Sequence, residues 1–503
     1  MSIILRIMKN MVVVNLGCGR GWAREMGGRT ALDRVLAYAG RLAPLSEVAV
    51  LLPPGESPDA VRDLRRLELR ENTDAALIGA LSELSRGRDN LYYVYGDCPF
   101  LDAGLSLTMM ENHLRYVADY TFADGYPYGL APEILKTAAL PAVAAQLKTP
   151  ASPLERDALF TLIGRDINSF DLETELSPVD LRQLRASLTT DSERNSLLCL
   201  RLAEDDPRDA GEVSRILQEK PEILRTLPAY IGIQIVEGCP QACFSCPYPV
   251  FGGDILRKRA FMDPAHFDAL LEKIAAFCGD AVVGVSLWGE PSLHPDFIRL
   301  AESAARRPAL RLLVETSGLG WGEDVLRGVR DLLGERVTWI VSLDASDEAG
   351  YLRMRGPGFA EAVGRAESLL ELFPGQTYVQ ALRMKENEEG METFFRTWRE
   401  KTPQVIIQKY DHFCGFLPQR KVTDLSPLKR FPCRHLQRDL SVLIDGTVPL
   451  CREDLRRGRV MGNALAEDLP VIWARGAEVY REHLAESYNG ICGACDEYYT
   501  FNF

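Results

Sequence analysis

The chain has 503 residues, of which 46% are hydrophobic and 26% are charged, and its formal net charge at pH 7 is −13. This length is too great for one ordinary hydrophobic core, so we expect about three domains. The composition is that of a globular protein. Because the net charge is negative, there is no electrostatic reason to expect nucleic acid or an anionic membrane surface as a partner.

The sequence predicts neither a membrane span nor export. No stretch approaches the ~18 consecutive apolar residues of a membrane-spanning helix. The first residues, "MSIILRIMKNMVVVNLG", lack the apolar core and the small-residue cleavage site of a signal peptide. We therefore expect a cytoplasmic protein, whose 12 cysteines remain reduced instead of forming a disulfide framework.

The N-terminal part of the chain alternates between strand-type and helix-type sequence. Residues 11–17, 47–52 and 91–97 are apolar runs of strand length, and amphipathic stretches such as 30–42 lie between them. This alternation predicts a Rossmann-like α/β domain over residues 1–200 with a largely parallel sheet.

A charged segment with three prolines, residues 201–228, predicts a linker with one or two helices of its own. A second and more regular alternation follows it, with six strand candidates at 230–237, 281–289, 311–318, 337–345, 377–384 and 405–411. Six βα units are too few for a full eight-stranded barrel, so we predict a partial (β/α)6 barrel of the TIM type over residues 229–430. The remaining residues, 431–503, form a short cysteine-bearing domain, in which "DGT" predicts the turn of a hairpin.

The stretch "GCPQACFSCPYP" (238–249) places Cys239, Cys243 and Cys246 directly after the first strand of the predicted barrel. A structural zinc site normally has four Cys or His ligands. Three thiolates this close together suit a [4Fe–4S] cube in which one iron stays open for a ligand that is not protein. A zinc knuckle that borrows a distant fourth ligand is the alternative interpretation.

The motif and its position resemble the radical S-adenosylmethionine (radical SAM) superfamily over residues 229–430. Three strand ends support the resemblance: "LWGEPSL" (287–293) is similar to the family's Gly-Gly-Glu-Pro, "ETSG" (315–318) to its Thr-Asn-Gly, and "VSLDA" (341–345) to its Ser-x-Asp. In this sequence Ser245 takes the place of the aromatic residue that usually lies against the adenine, and Phe244 or Tyr248 are the candidate substitutes.

The resemblance implies that the three cysteines hold a [4Fe–4S] cluster whose open iron binds SAM. An electron from the cluster then cleaves SAM to methionine and a 5′-deoxyadenosyl radical, which abstracts hydrogen from a substrate. The reductant is a protein such as flavodoxin or ferredoxin. The implied SAM contacts are Gly289, Glu290, Ser317, Ser342, Asp344 and Tyr248.

Four further cysteines lie in the C-terminal segment: Cys433, Cys451, Cys492 and Cys495. Four thiolates suit either zinc or a fully ligated cluster, and their spacing does not choose between them. The segment, with Gly462, Asn463 and the stretch around Trp473, resembles the SPASM domain that follows many radical SAM barrels. That resemblance implies an auxiliary [4Fe–4S] cluster. We expect His435 to lie on the surface and Cys414 to be a free buried thiol.

The N-terminal domain has weak signals of nucleotide chemistry. Asp97 and Asp191 follow apolar or turn segments where carboxylates commonly hold Mg²⁺, and Arg20 lies in a Gly/Arg loop after the first strand. These features resemble the cytidylyltransferase-like sugar nucleotidyltransferases over about residues 11–200. The resemblance implies Asp97 and Asp191 as Mg²⁺ ligands and Arg20 as a phosphate contact. Arg29 replaces an expected lysine, so both an active transferase and an inactive binding module remain open.

The order of the three domains resembles the spiro-SPASM family. The leading hypothesis is a radical SAM enzyme that abstracts hydrogen from an unidentified small molecule, with a nucleotide-activated sugar or lipid head group handled by the N-terminal domain. The second hypothesis is a peptide- or protein-modifying maturase in which that domain is inactive. The third, from a different class, is a metal-binding scaffold without catalysis.

Overall fold

A computed structural model describes residues 8–43 and 45–500. They form two compact units, one ending at Thr226 and the other beginning at Leu227. The first seven residues of the stretch that we compared with a signal peptide lie outside the described part. Within it, no helix is both long and apolar enough to cross a membrane.

The first unit is built on a mixed sheet. Its strands are β1 (Asn10–Asn15), β2 (Glu25–Met26), β3 (Arg29–Thr30), β4 (Ser46–Leu52), β5 (Arg65–Glu68), β6 (Asn90–Tyr95), β7 (Tyr120–Asp124), β8 (Glu133–Lys136) and β9 (Leu172–Leu176). Its helices are α1 (Ala31–Leu42), α2 (Asp74–Leu84), α3 (Ala103–Arg115), α4 (Leu140–Ala144), α5 (Ala158–Gly164), α6 (Glu193–Ala203) and α7 (Ala210–Glu219). Over the described residues the main sheet has the order β5-β4-β1-β6-β8-β7-β9.

The three strands predicted in this unit are confirmed as β1, β4 and β6. Strand β1 pairs in parallel with both β4 and β6, whereas β8 runs antiparallel to β6. Every residue of β1 is buried, as expected for a parallel strand covered on both faces, and its four central residues are apolar. The strand order reverses between β1 and β6, so right-handed crossovers place helices on both faces and leave a crevice at the carboxyl ends of these two strands.

The predicted linker, residues 201–228, is instead part of the first unit. It contains α7, whose Val213, Ile216 and Leu217 are buried in one hydrophobic cluster with Leu198 and Leu202. The spacing of the three α7 residues is that of one face of a helix. The helix in this segment agrees with the prediction, whereas the assignment as a linker overlooked the short apolar face that packs α7 onto the first unit.

His113 makes the stability of the first unit depend on pH. The side chain is buried in α3, with Nδ1 2.8 Å from Thr121 Oγ1. Burial, followed by the charge of Lys136, lowers its pKa from 6.5 to about 4. Since the unfolded chain then binds the proton more readily than the folded one, we expect the unit to lose stability as the pH falls from about 6.5 to about 4.

Hydrogen exchange of the amides of α3, corrected for intrinsic rates, measures this loss in the whole chain. Wild type should lose protection across that pH range, and His113→Asn should lose less. An equal pH dependence in the two proteins would contradict the role of His113.

The second unit is built on a parallel sheet. Its strands are β10 (Tyr230–Ile233), β11 (Val236–Glu237), β12 (Ala260–Phe261), β13 (Ala281–Gly284), β14 (Leu310–Thr316), β15 (Val337–Ser342), β16 (Thr377–Arg383), β17 (Val405–Lys409), β18 (Asp439–Val442), β19 (Thr447–Pro449) and β20 (Val460–Asn463). Its helices are α8 (Tyr248–Phe251), α9 (Pro264–Cys278), α10 (Phe297–Ala305), α11 (Glu323–Leu333), α12 (Glu348–Met354), α13 (Phe359–Leu372), α14 (Glu388–Arg399), α15 (Arg434–Arg438), α16 (Leu469–Leu484) and α17 (Ile491–Ala494).

All six predicted strands of this unit are present, and each ends one to five residues earlier than predicted. Over the described residues the sheet has the order β17-β16-β15-β14-β13-β10-β18, and every neighbouring pair is parallel. The repeated strand–helix alternation produces this topology, because parallel neighbours require a crossover between them.

The seventh strand, β18, comes from the cysteine-bearing C-terminal segment and pairs in parallel with β10. The predicted hairpin was therefore wrong. The "DGT" turn does form, with the Leu443 amide donating to the Thr447 carbonyl at 2.8 Å, but β19 then pairs with β20. Residues 229–430 and 431–500 thus share one sheet and one compact unit.

Candidate functional site

The three-cysteine loop leaves the sheet of the second unit between β11 and β12, which pair antiparallel to each other. Backbone hydrogen bonds fix the loop: the Cys239 amide donates to the Ile255 carbonyl at 2.9 Å, and the Phe244 amide donates to the Met354 carbonyl at 2.9 Å. The loop therefore holds Cys239, Cys243 and Cys246 in place through contacts with two other segments.

Two glycines join this loop to the one that carries Glu290. Gly289 has a φ of +88°, and a Cβ there would lie 2.4 Å from the carbonyl oxygen of Val236. The Glu290 amide donates to the Gly238 carbonyl at 2.9 Å, and Gly238 itself has a φ of +145°. Only glycine fits so close a backbone contact, so the sequence brings Glu290 against the cysteine loop.

A cavity of about 260 Å³ lies beside the three cysteines. Residues on or just after all seven strands of the sheet line it: Tyr230, Ser286, Thr316, Ser342, Gln380, Lys409 and Ser441. Residues from every strand of an open sheet can line one cavity only if the sheet is curved. This curvature agrees with the predicted partial barrel. The cavity also lies where a barrel of this kind carries its functional residues.

Glu290 is a buried carboxylate at the wall of this cavity. It accepts hydrogen bonds from Thr316 Oγ1 at 2.6 Å, from the Ser317 amide at 2.8 Å and from Ser317 Oγ at 2.7 Å. Burial raises the pKa of Glu290, and the hydrogen bonds from Thr316 and Ser317 oppose that rise. These donors fix the position of the carboxylate and favour its charged form.

The residues predicted from "VSLDA" have separate positions. Ser342 lines the cavity and accepts a hydrogen bond from Gln380 at 3.3 Å. Asp344 does not line it, because its carboxylate accepts from Arg355 Nη1 at 2.6 Å and from the Leu382 amide at 2.8 Å. Arg355 lines the cavity instead, next to Cys243, whose charge raises the pKa of the guanidinium against the effect of burial.

The two aromatic candidates for the adenine contact lie outside this cavity. Tyr248 begins α8 and is buried with its ring 6.3 Å from that of Trp288. Phe244 is covered by Arg420, whose guanidinium lies 3.5 Å from the ring centroid. The aromatic ring that lines the cavity next to Gly289 is that of Trp288.

The C-terminal cysteines line the same cavity as the first three. They are joined there by Cys414. The neighbouring Cys414 side chain lowers the pKa of Cys495 to about 7 despite burial. His435 also lines the cavity and is 7% exposed, so its predicted surface position was wrong. It is held there by Asp439, which accepts from its ring.

The sulfur positions distinguish between zinc and a cluster. Four thiolates on one tetrahedral zinc, with Zn–S bonds of about 2.3 Å, lie about 3.8 Å from one another. Across the described residues, no three cysteine sulfurs all lie within 4.8 Å of one another. In a cube each thiolate binds a different iron, so the sulfurs are farther apart. As they stand, therefore, neither cysteine set has three sulfurs at the spacing of one zinc ion.

The first unit brings Asp97 and Asp191 together at the predicted crevice, with Arg156 between them. Arg156 Nη1 donates to Asp97 Oδ1 at 3.1 Å, and its Nε lies 3.5 Å from Asp191 Oδ2. The remaining oxygen of Asp191 accepts from Thr189 at 2.6 Å and Asn195 at 2.9 Å. Although burial acts to lower the pKa of Arg156, its hydrogen bonds and charge interaction with Asp97 raise it.

The carboxylates of Asp97 and Asp191, as arranged, do not fit Mg²⁺. The guanidinium of Arg156 lies where the cation would lie, and hydrogen-bond donors already occupy the remaining oxygen of Asp191. Arg20, the predicted phosphate contact, is not part of this group. Its side chain is 79% exposed and pairs with Glu56 at 2.7 Å.

Comparison with known sequences identifies the second unit. Residues 233–397 match the radical SAM superfamily, and residues 433–496 match SPASM, an iron–sulfur cluster-binding domain. The chain belongs to the radical SAM superfamily. It is accordingly an enzyme, and its cofactors are SAM and iron–sulfur clusters.

Other known proteins are similar to parts of this radical SAM protein. An uncharacterized protein of Treponema pallidum (strain Nichols) is 39% identical over 358 residues, which are 69% of this chain and 98% of that one. SuiB of Streptococcus suis, solved bound to the precursor peptide SuiA, is 14% identical over 63% of this chain and 76% of its own, with a TM-score of 0.42. A cytidylyltransferase from Leptospira borgpetersenii is 16% identical over 43% of this chain and 96% of its own, with a TM-score of 0.38.

The sequence interpretation missed three residues of these sites: Arg355, Arg156 and Cys414. None of them belongs to a motif, and each meets its partners through long-range contacts. A weak signal exists for Cys414, since "HFCGF" follows the last predicted strand of the radical SAM barrel, where functional residues are expected.

Proposed function

We propose that Cys239, Cys243 and Cys246 hold a [4Fe–4S] cluster with one open iron that binds SAM, and that substrate binds between this cluster and an auxiliary one. Cys433, Cys451, Cys492 and Cys495 hold the auxiliary cluster. The observation that carries the proposal is the single cavity lined by both cysteine sets. A substrate in that cavity lies beside the source of the radical and beside a second redox centre.

A cluster held by the first three cysteines would, when bound, pass one electron from a reductant such as flavodoxin or ferredoxin to SAM, and this would yield methionine and a 5′-deoxyadenosyl radical able to take a hydrogen atom from a substrate C–H bond. The chain positions these reactants. Glu290, held by Thr316 and Ser317, presents a carboxylate to the ammonium group of SAM. Ser342 presents a hydroxyl from β15, the strand next to the one that carries Thr316.

The cavity wall indicates the chemistry of the substrate. Glu315 lines it with a carboxylate whose pKa is raised by burial and lowered by Arg452. Glu453 is 3% exposed, and its Oε2 has no hydrogen-bond partner among the described residues. These acceptors, with the nearby Gln380 amide, suit a substrate rich in hydroxyl or amino groups. A nucleotide-activated sugar has this chemistry.

The experiment for this function is anaerobic reconstitution followed by a screen of CMP-, UDP- and GDP-sugars for 5′-deoxyadenosine above the uncoupled background. Stimulation by a nucleotide sugar supports the proposal. Stimulation only by a peptide, with a modified peptide as product, would replace it with the maturase hypothesis.

We also infer that the first unit binds a nucleotide-type ligand without acting as a Mg²⁺-dependent transferase. The support is Arg156, which neutralises Asp97 and Asp191 in the position where the resemblance places a metal. This arrangement favours a binding module over a transferase. Removing the buried guanidinium leaves two uncompensated carboxylates, which favours binding of a cation in its place.

Binding of Mn²⁺ to the whole chain, followed through the EPR signal of the free ion, tests this inference. We expect Asp97→Asn to leave the Mn²⁺ binding of wild type unchanged, and Arg156→Met to add one site that Arg156→Met/Asp97→Asn lacks. Asp411, Asp496 and Glu497 form another close acidic group, so binding is assigned only by difference between variants. A wild-type site lost in Asp97→Asn would contradict the inference.

A further inference from the structure

A second pocket, of about 340 Å³, lies beside the cavity that the two cysteine sets line. Leu287, Trp288 and Arg452 line both. The ring centroid of Trp288 lies 5.2 Å from that of Phe251, which lines the pocket, and 5.8 Å from that of Phe413, which lines the cavity. Trp288 is therefore part of the wall between the two spaces.

Cationic side chains outnumber carboxylates in this pocket, although the chain as a whole has a net charge of −13. The charged residues that line it are the cations Lys258, Arg452, Arg456 and Arg457 and the carboxylates Glu237 and Asp454. We call it the basic pocket. A concave surface lined mainly by one sign of charge concentrates ions of the opposite sign, so an anion is the ligand that this pocket favours.

Asp454 fixes the turn that presents two of these cations. Its carboxylate is 4% exposed and accepts two backbone amides of the turn at 2.8 Å each. Arg457 has a left-handed backbone conformation in this turn, with a φ of 53°, and its side chain donates to Asp445 at 2.9 Å. Because the oxygens of Asp454 are held by the backbone, they do not neutralise Arg456.

Arg456 is the cation of the basic pocket that is left for a ligand. Among the described residues it has no carboxylate partner, and its exposed guanidinium lies 5.8 Å from the ring centroid of Phe416. Lys258 is held loosely, with its Nζ 3.5 Å from Glu237. A guanidinium presents a planar fork of donors that matches two phosphate oxygens, and an ammonium adds a point charge beside it.

We propose that the basic pocket binds the diphosphate of the substrate through Arg456 and Lys258, and that the sugar attached to this diphosphate extends past Trp288 into the cavity. UDP- and GDP-sugars carry a diphosphate, and the acceptors of the cavity wall suit the hydroxyl groups of a sugar. This proposal rests on the proposed function. It adds a site that favours UDP- and GDP-sugars over CMP-sugars, which carry a single phosphate.

Equilibrium dialysis of the reconstituted whole chain against radiolabelled pyrophosphate tests the site without turnover. We expect Arg456→Gln to weaken binding about tenfold, because a charge-assisted hydrogen bond is lost, and Arg456→Lys to weaken it less. Arg396→Gln is the matched control, since Arg396 lies on α14, is exposed and does not line the pocket. It should bind pyrophosphate as wild type does. Any binding by the first unit is common to all these proteins and cancels in the comparison.

Equal pyrophosphate binding by wild type and Arg456→Gln overturns the proposal. An equal weakening in Arg396→Gln also overturns it, because binding then depends only on the general surface charge.

Turnover separates this proposal from the proposed function. A UDP- or GDP-sugar that stimulates 5′-deoxyadenosine formation should have a KM about tenfold higher in Arg456→Gln, with kcat kept. An unchanged KM, or stimulation by CMP-sugars alone, overturns the diphosphate site and leaves the proposed function intact. Pyrophosphate binding through Arg456 without stimulation by any nucleotide sugar supports the anion site and contradicts the proposed substrate.

Discussion

The Cys243→Ser substitution should abolish 5′-deoxyadenosine formation and remove about four irons per chain, those of the SAM-binding cluster. Burial raises the pKa of the neighbouring Cys246 thiol to about 12, so these side chains ionise effectively only against a positive centre such as iron. A serine hydroxyl is a much poorer iron ligand, and two remaining thiolates do not hold a cube. Anaerobic assay with dithionite and SAM, with iron measured on the same sample, checks both effects.

Cys278→Ala is the control for this result. Cys278 is fully buried in the core of the same unit and does not line the cavity. The substitution therefore removes some core packing but no ligand of a cluster. The variant should keep its iron and its 5′-deoxyadenosine formation. Full cluster content and undiminished SAM cleavage in Cys243→Ser would contradict the assignment of the first cysteine set.

The second large effect is expected at Glu290. Glu290→Gln should weaken SAM binding by about 10- to 100-fold while the cluster remains, because a charge-assisted hydrogen bond contributes about 1.5–3 kcal/mol. The neutral amide also places an NH2 group against the donors of Thr316 or Ser317. Titration of the reconstituted protein with SAM under anaerobic conditions measures the dissociation constant.

A matched control makes the same chemical change on the surface of the same unit. Glu302 lies on α10 and is exposed, so Glu302→Gln should bind SAM as wild type does. Two outcomes would count against the role of Glu290: an unchanged dissociation constant, or loss of the cluster in Glu290→Gln, which would point to a structural function of the carboxylate.

Local sequence was sufficient for the main sheet of each unit. Buried parallel strands such as "MVVVN" and "VTWIVS" are apolar on both faces, and the helices between them have one apolar face. Residues 439–442 were misassigned because a short strand before a "DG" turn predicts a hairpin, while its true partner, β10, lies about two hundred residues earlier in the chain. Pairing across such a separation leaves no local pattern.

The residues of the candidate sites likewise fall into those that local sequence identifies and those that only the fold brings together. The cysteine spacing and Glu290 belong to contiguous motifs, so sequence alone identified them. Arg156 lies between two aspartates that are 94 positions apart in the sequence, and no motif contains it. Asp344 was predicted to reach SAM, but its partner, Arg355, becomes apparent only when α12 is packed against the cysteine loop.

The central claim is that one iron beside Cys239 keeps a coordination position that no side chain fills. Electron–nuclear double resonance of the reduced protein, with SAM labelled by ¹⁷O in its carboxylate and ¹⁵N in its amine, tests it most directly. We predict hyperfine coupling from both labels to the cluster in wild type and none in Cys243→Ser. A reduced cluster in wild type that shows neither coupling with saturating SAM would contradict the claim.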